Sequence, residues 1–179
     1  EMLDLAATDR SVIERAVATA SSRPYFSETF ARPLKKLPKP FPEGSYGAER
    51  GTRYYRTSGS ALPVPRGLIP ETHYAIDYPV PKGTPVYAMN RGRVLFADTH
   101  PDPRLARGKT IIVDHGAGIV VSYVHLLHIA VSAGDIVERG AVIGLSGDSG
   151  NAKSHPHLHL AARIHGKFVD PVSLLRLPL

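Results

Sequence analysis

Residues 110–125 read TIIVDHGAGIVVSYVH, two β-branched runs, 110–115 and 119–125, on either side of a Gly116-Ala117-Gly118 turn. Val, Ile, Thr and Tyr favour a pleated backbone and glycine supplies the conformations a tight reversal needs, so the stretch predicts two strands. The same texture recurs outward from it, in TPVYAM at 84–89, RVLFAD at 93–98, DIVER at 135–139, AVIGLS at 141–146 and HLHLAARI at 157–164. Many short runs without helical periodicity between them predict an all-β domain, mainly antiparallel, and argue against α/β folds. One late helical turn is expected after Asp170, with Pro171 at its first position.

Towards the N-terminus the composition changes. Eleven of the sixteen prolines lie within residues 1–85, whereas residues 86–155 hold only Pro101 and Pro103. Val12, Ile13, Ala16, Val17 and Ala20 fall at helical spacing and predict one short helix over residues 8–20, with Ser11 and Glu14 placed like a capping box near its start and Pro24 beyond its end. Residues 32–42, RPLKKLPKPFP, carry four basic residues and four prolines, a composition expected of an extended linker. Residues 1–42 are therefore expected to form an arm, which either tethers the domain or lies across its cleft.

A chain of 179 residues with 42% hydrophobic and 21% charged residues is the size and composition of one folded domain. Charges, Gly or Pro interrupt every apolar run, so no membrane-spanning segment is expected. Cysteine is absent, which removes disulfides, thiolate nucleophiles and Cys-based metal sites from consideration. A formal charge of +6 suits solubility or an anionic partner such as nucleic acid, a membrane surface or a wall polymer. The first residues lack a basic, then apolar, then small-residue pattern, so any secretory leader is expected to have been removed already or left out of this sequence.

All nine histidines but His73 lie from His100 onward, and His155, His157 and His159 form a tight run. On a strand, side chains two residues apart share a face at roughly 7 Å, so His157 and His159 can look into one cleft. One of them can bind a metal while its neighbour does chemistry. His73 and Asp77, four apart, would sit roughly 13 Å from each other on a straight strand, so the chain must bend if both ligate one ion. Pro70, Pro79 and Pro81 around them make an irregular path reasonable. Imidazole and carboxylate suit zinc, and three protein ligands with one open position is the catalytic arrangement that activates a water for attack on a carbonyl. His73, Asp77 and one later histidine supply that count.

Four ordered blocks then resemble the lysostaphin-like (LytM-type, M23) zinc metallopeptidases, which cut the peptide cross-bridges of bacterial peptidoglycan. His73-Tyr74-Ala75-Ile76-Asp77 resembles the family's His-x-Gly-x-Asp, GTPVYA its first core strand, DHGAGIVVSYVHL its central strand pair, and HPHLHL its terminal His-x-His. The likeness covers about residues 43–179, with Ser45-Tyr46-Gly47 and Arg50 less securely placed. It implies Zn2+ as cofactor, His73, Asp77 and His159 as metal ligands, and catalytic roles for His125 and His157. It further implies peptidoglycan peptides rather than nucleic acid as the partner, and a location outside the cytoplasm, periplasmic or secreted. Ala75 departs from the usual glycine and is expected to tighten the bend; Leu160-Ala161 replaces the common Phe-Glu. Tyr74, Tyr78 and Tyr123 offer no clear candidate for stabilising an oxyanion.

Two other readings have residues behind them. VSAGDIVERGAVIG, 131–144, resembles the β-hairpin units of biotinyl and lipoyl carriers, but the nearest lysines, Lys109 and Lys153, lie outside it. A catalytically inactive LytM-type domain that binds or activates another wall hydrolase would not need the metal site, and the presence of all five site residues counts against it.

Overall fold

The computed structural model describes residues 2–37, 46–47, 49–50, 71–102, 104–152 and 155–178. Helix α1 (Met2–Ala18) is followed by a two-stranded ladder of β1 (Glu49–Arg50) and β2 (Glu71–Thr72). The main sheet is built from β3 (Ile76–Tyr78), β4 (Pro85–Tyr87), β5 (Gly92–Asp98), β6 (Lys109–Gly116), β7 (Ile119–Ile129), β8 (Ile136–Val137), β9 (Val142–Ser146), β10 (Leu158–Ile164) and β11 (Lys167–Val169). Its central path runs β11-β10-β7-β6-β5-β8, with β3 also on β10 and β9 joining β7 to β4. Every pairing is antiparallel, as expected of an all-β fold. A 3-10 turn, Pro171–Arg176, starts at Asp170, whose carboxylate accepts the Val172 N–H at 2.9 Å. No helix among the described residues is long and apolar enough to cross a membrane.

The runs in β6 and β7 are continuously apolar because both faces of these strands are covered. Ile111, Val113, Ile119, Val121 and Tyr123 face the main core, while the alternate residues Ile112 and Val120 meet Ile13 and Val17 of α1. A strand buried on one face alone would alternate with polar residues. The helix is held further by Glu14, whose two carboxylate oxygens accept from Arg163 at 2.9 and 3.0 Å.

Three expectations change. The helix begins at Met2, so Ser11 lies mid-helix and accepts from Arg15 at 3.1 Å instead of capping. The Met, Leu and Ala of residues 2–7 are good helix formers and carry the helix past that site. Residues 131–144 form no hairpin, since β8 pairs with β5 and β9 with β4 and β7. The turn between them is held elsewhere, the Gly140 N–H donating to the Ala88 carbonyl at 2.9 Å. The linker reading of 32–42 fails over its first half, because Phe30 and Leu34 sit in the main core among the strands. Residues 20–37 form a strap joined to the sheet by Tyr25 N–H to His115 O at 2.9 Å, Ala31 N–H to Met89 O at 2.7 Å and Tyr87 N–H to Pro33 O at 2.9 Å. Proline costs nothing there, since the strap docks through its carbonyls and its few free amides. Gly116, at φ 79°, is required beneath it, because a Cβ would overlap the Arg23 carbonyl. The expected boundary at 42/43 lies outside the described residues, as does Ser45.

His115 is fully buried below the strap, with Phe30 edge-on at 5.2 Å, and its Nδ1 donates to the Arg91 carbonyl at 3.0 Å. Its Nε2 has no hydrogen-bond partner among the described residues. Burial pushes its pKa down to about 4, against the opposing pull of the Arg91 and Asn90 carbonyls. Because the folded value lies below the unfolded value near 6.5, the unfolded chain takes up this proton first as pH falls. The neutral-imidazole contribution is complete above pH 6.5 and is lost between there and pH 4, on the order of 3 kcal/mol in all. Denaturant melts from pH 7 to 4 are expected to show a steeper loss for the wild type than for His115→Phe. Equal slopes would remove His115 as a cause of acid lability.

Candidate metal centre

Strand register brings the first two candidate residues together. β3 and β10 pair with Asp77 directly opposite His159, and the His159 Nδ1 lies 2.7 Å from the Asp77 Oδ1. His73 follows β2 and precedes β3 in an irregular segment whose bend brings its Nε2 to 3.4 Å from the same oxygen and 3.3 Å from the His159 Nδ1. The bend is made without the usual glycine: Ala75 is buried and is not among the residues with positive φ. The bend therefore needs no left-handed backbone at position 75.

The other two candidates approach from the opposite side. β7 runs beside β10 with Val124 opposite His159, which puts His125 next to the cluster. His125 has φ 63°, and this left-handed kink coincides with the shift in β7–β9 register between Leu126 and His128. Its ring centroid lies 4.8 Å from that of His157 and 5.6 Å from that of His159. His157 bridges to Gly147 just before β10, and its Nε2 reaches to 3.7 Å from the Asp77 Oδ1.

Hydrogen bonds to carbonyl oxygens fix the tautomers of both histidines. A carbonyl has only lone pairs to offer, so the His125 Nδ1 carries the hydrogen it donates to Ser149 O at 2.9 Å, and the His157 Nδ1 that donated to His155 O at 2.7 Å. Each keeps its Nε2 for the cluster around Asp77 and His159. Burial, reinforced by His159 and then His157, pushes the His125 pKa down to about 3. Burial also lowers that of His159, opposed mainly by the hydrogen bond to Asp77. Both imidazoles are neutral at pH 7, the form that ligates a metal or accepts a proton.

The donor set suits a small divalent ion. Tetrahedral bonds of 2.0–2.1 Å place neighbouring ligand atoms about 3.3 Å apart, and two of the three separations among His73, Asp77 and His159 already have that length. The third, at 2.7 Å, is a hydrogen bond whose proton an ion would replace, opening it by about 0.6 Å. A second triad, His125, His157 and His159, also has its donor atoms within 4.8 Å of one another. It lacks a carboxylate, and an ion there would draw on the His125 and His157 nitrogens left free for the cleft.

Sequence reasoning missed the carbonyls of Ser149 and His155, since backbone groups have no residue signature. Of the tyrosines, Tyr78 and Tyr123 are buried core residues, Tyr123 accepting the Met89 N–H at 3.0 Å. Tyr74 is exposed and stacks on Phe168 with centroids 5.3 Å apart.

Residues 71–171, more than half of the chain, match the model of peptidase family M23. The chain belongs to that family. Among its curated relatives, the peptidoglycan DD-endopeptidase ShyA of Vibrio cholerae is 37% identical over 111 residues, 59% of this chain and 25% of ShyA. The chain thus spans about a quarter of the length of the curated relatives it matches. An M23 structure from Pseudomonas aeruginosa superposes with a TM-score of 0.65 at 27% identity, covering 94% of this chain and 60% of that one. A zinc-containing peptidase from Vibrio cholerae superposes with a TM-score of 0.54 at 25% identity, covering 89% of this chain and 40% of that one.

Proposed function

We propose that this protein is a zinc-dependent endopeptidase that hydrolyses peptide cross-links of bacterial peptidoglycan outside the cytoplasm. The observation that carries this reading is the convergence of His73 Nε2, Asp77 Oδ1 and His159 Nδ1 within 3.4 Å, with the imidazoles of His125 and His157 packed beside them. The peptidoglycan substrate is supported by the named activity of ShyA, and zinc by the V. cholerae zinc-containing peptidase.

In this reading His73, Asp77 and His159 hold Zn2+, which when bound supplies a Lewis acid and an activated water at neutral pH. His125 and His157 each present an Nε2 to the cleft, oriented through Nδ1 by a carbonyl. Through its Nε2 one of them accepts a proton from the attacking water and, once protonated there, passes that proton to the leaving amine; the other can donate to the developing oxyanion only when its Nε2 also carries a proton. Their packing at 4.8 Å lets both reach one scissile bond. Burial of His125 keeps it unprotonated until a proton is delivered by the reaction itself. An inactive binding domain would need none of this, and the complete donor set speaks for the enzyme.

Chelation is expected to abolish release of peptides from purified sacculi, and equimolar zinc to restore it. Mass spectrometry of products from defined cross-linked muropeptides would identify the bond. Stoichiometric zinc absent from active protein, or no cleavage of any cross-linked peptide by zinc-loaded protein, would overturn the proposal.

A further inference from the structure

The left-handed kink at His125 is held by several contacts of one residue outside the five candidates, Ser149. Left-handed backbone at His125 turns its N–H out of the ladder to the Arg107 carbonyl at 3.2 Å. The β6–β7 register also shifts between Lys109 and Ile111, next to the Lys109–Leu126 pair. At that pair the Ser149 hydroxyl joins the two strands, accepting the Lys109 N–H at 2.9 Å and donating to the Leu126 carbonyl at 2.8 Å. The carbonyl of the same serine accepts from the His125 Nδ1 at 2.9 Å. Ser149 therefore holds the residue just after the kink, the facing strand beside it and the ring at its apex.

The loop bearing Ser149 is seated on residues 105–109 by close backbone approach. Asn151 N–H donates to the Ala106 carbonyl at 2.9 Å. Gly108 and Gly150 have φ of 60° and 72°; a Cβ on Gly108 would overlap Ser149 and the Gly150 amide, and one on Gly150 the Ala106 carbonyl and the Gly108 amide. The two segments interlock only as glycines, which leaves the Ser149 carbonyl little freedom to move.

We propose that Ser149 is a positioning residue for His125: its hydroxyl fixes the kinked strand pair, and its carbonyl holds the imidazole in the Nδ1–H tautomer with Nε2 directed to the cleft. The inference rests on His125 acting in the reaction, as proposed above. Without the hydroxyl, the Lys109 N–H and Leu126 carbonyl lose a partner in a part-buried site, the loop relaxes and the ring loses its fixed orientation.

The test uses the zinc-loaded chain and its metal-free form. Nitrogen-15 NMR of the histidine rings in the wild type, at pH 8, is expected to show His125 as the Nδ1–H tautomer; an Nε2–H wild type overturns the proposal whatever the variants do. Ser149→Ala is expected to lower kcat roughly 10- to 100-fold, with KM and zinc stoichiometry unchanged and the His125 tautomer signal broadened or mixed. Ser149→Thr, which keeps the hydroxyl, is expected to retain the wild-type tautomer and to recover most of the loss. A kcat and tautomer unchanged in Ser149→Ala overturn it, and so does a loss of kcat with the tautomer signal intact. His125→Ala separates the two ideas: if it keeps wild-type kcat, the role of His125 fails, whereas if it is inactive while Ser149→Ala is not, only the positioning role fails.

Discussion

His159→Ala is expected to lose stoichiometric zinc and hydrolysis together, whereas His157→Ala keeps its zinc and loses turnover alone. The two side chains come from the same end of β10, two residues apart, yet their contacts differ. His159 presents Nδ1 at 2.7 Å from Asp77 and 3.3 Å from His73, so its removal leaves two ligands of three. A three-ligand site has no spare donor to make up that loss, and metal affinity falls steeply. His157 spends Nδ1 on the His155 carbonyl and approaches Asp77 only to 3.7 Å with the other nitrogen. Its loss, like that of His125 in His125→Ala, should lower kcat by roughly 10² to 10⁴ while zinc stays bound. Zinc titration with peptide kinetics on these three variants, beside His73→Ala and Asp77→Ala, decides between the two donor triads. Zinc lost from His157→Ala and His125→Ala but kept by His73→Ala and Asp77→Ala would place the ion in the three-histidine set.

The strands were legible because β-branched runs broken by glycine have few other ways to fold, and each of the seven runs read from the sequence contains a strand. β3 and β11, three residues each, lay outside those runs and were not read. The two-sided burial of β6 and β7 was also hidden, since an unbroken apolar run does not say what covers each face, and here α1 covers one of them. Local composition misled where tertiary contacts override it, in the strap and in the turn between β8 and β9. At the site, histidine and aspartate announce themselves by type, and the need for a bend between His73 and Asp77 followed from strand rise alone. Which nitrogen each ring presents did not, because that depends on the Ser149 and His155 carbonyls, and any residue type supplies a carbonyl.

Leu34→Ala is expected to cost about 2 to 5 kcal/mol, although Leu34 lies in a segment whose sequence looks like a tether. Arg32, Pro33, Lys35 and Lys36 surround it, a composition that in isolation favours an extended, solvated chain. Leu34 is nevertheless 1% exposed and belongs to the same cluster as Val86, Met89 and Leu174, while Lys35 stays at the surface with its Nζ 5.2 Å from the Tyr87 ring centroid. The hydrogen bonds of Ala31 and Pro33 to the sheet hold the backbone just before Leu34, which restrains the strap from sliding to refill the cavity that truncation leaves. A loss of that size corresponds to a fall in Tm of roughly 5 to 15 °C for a chain of this length. If residues 32–37 were instead a solvated tether, the substitution would act as a surface change and stay within about 0.5 kcal/mol. Denaturant melts of Leu34→Ala beside Lys36→Ala, an exposed neighbour in the same stretch, distinguish the cases: equal and small effects would detach the strap from the core, whereas a large loss confined to Leu34 would mean that deleting the N-terminal segment removes part of the fold along with any role it has in binding or regulation.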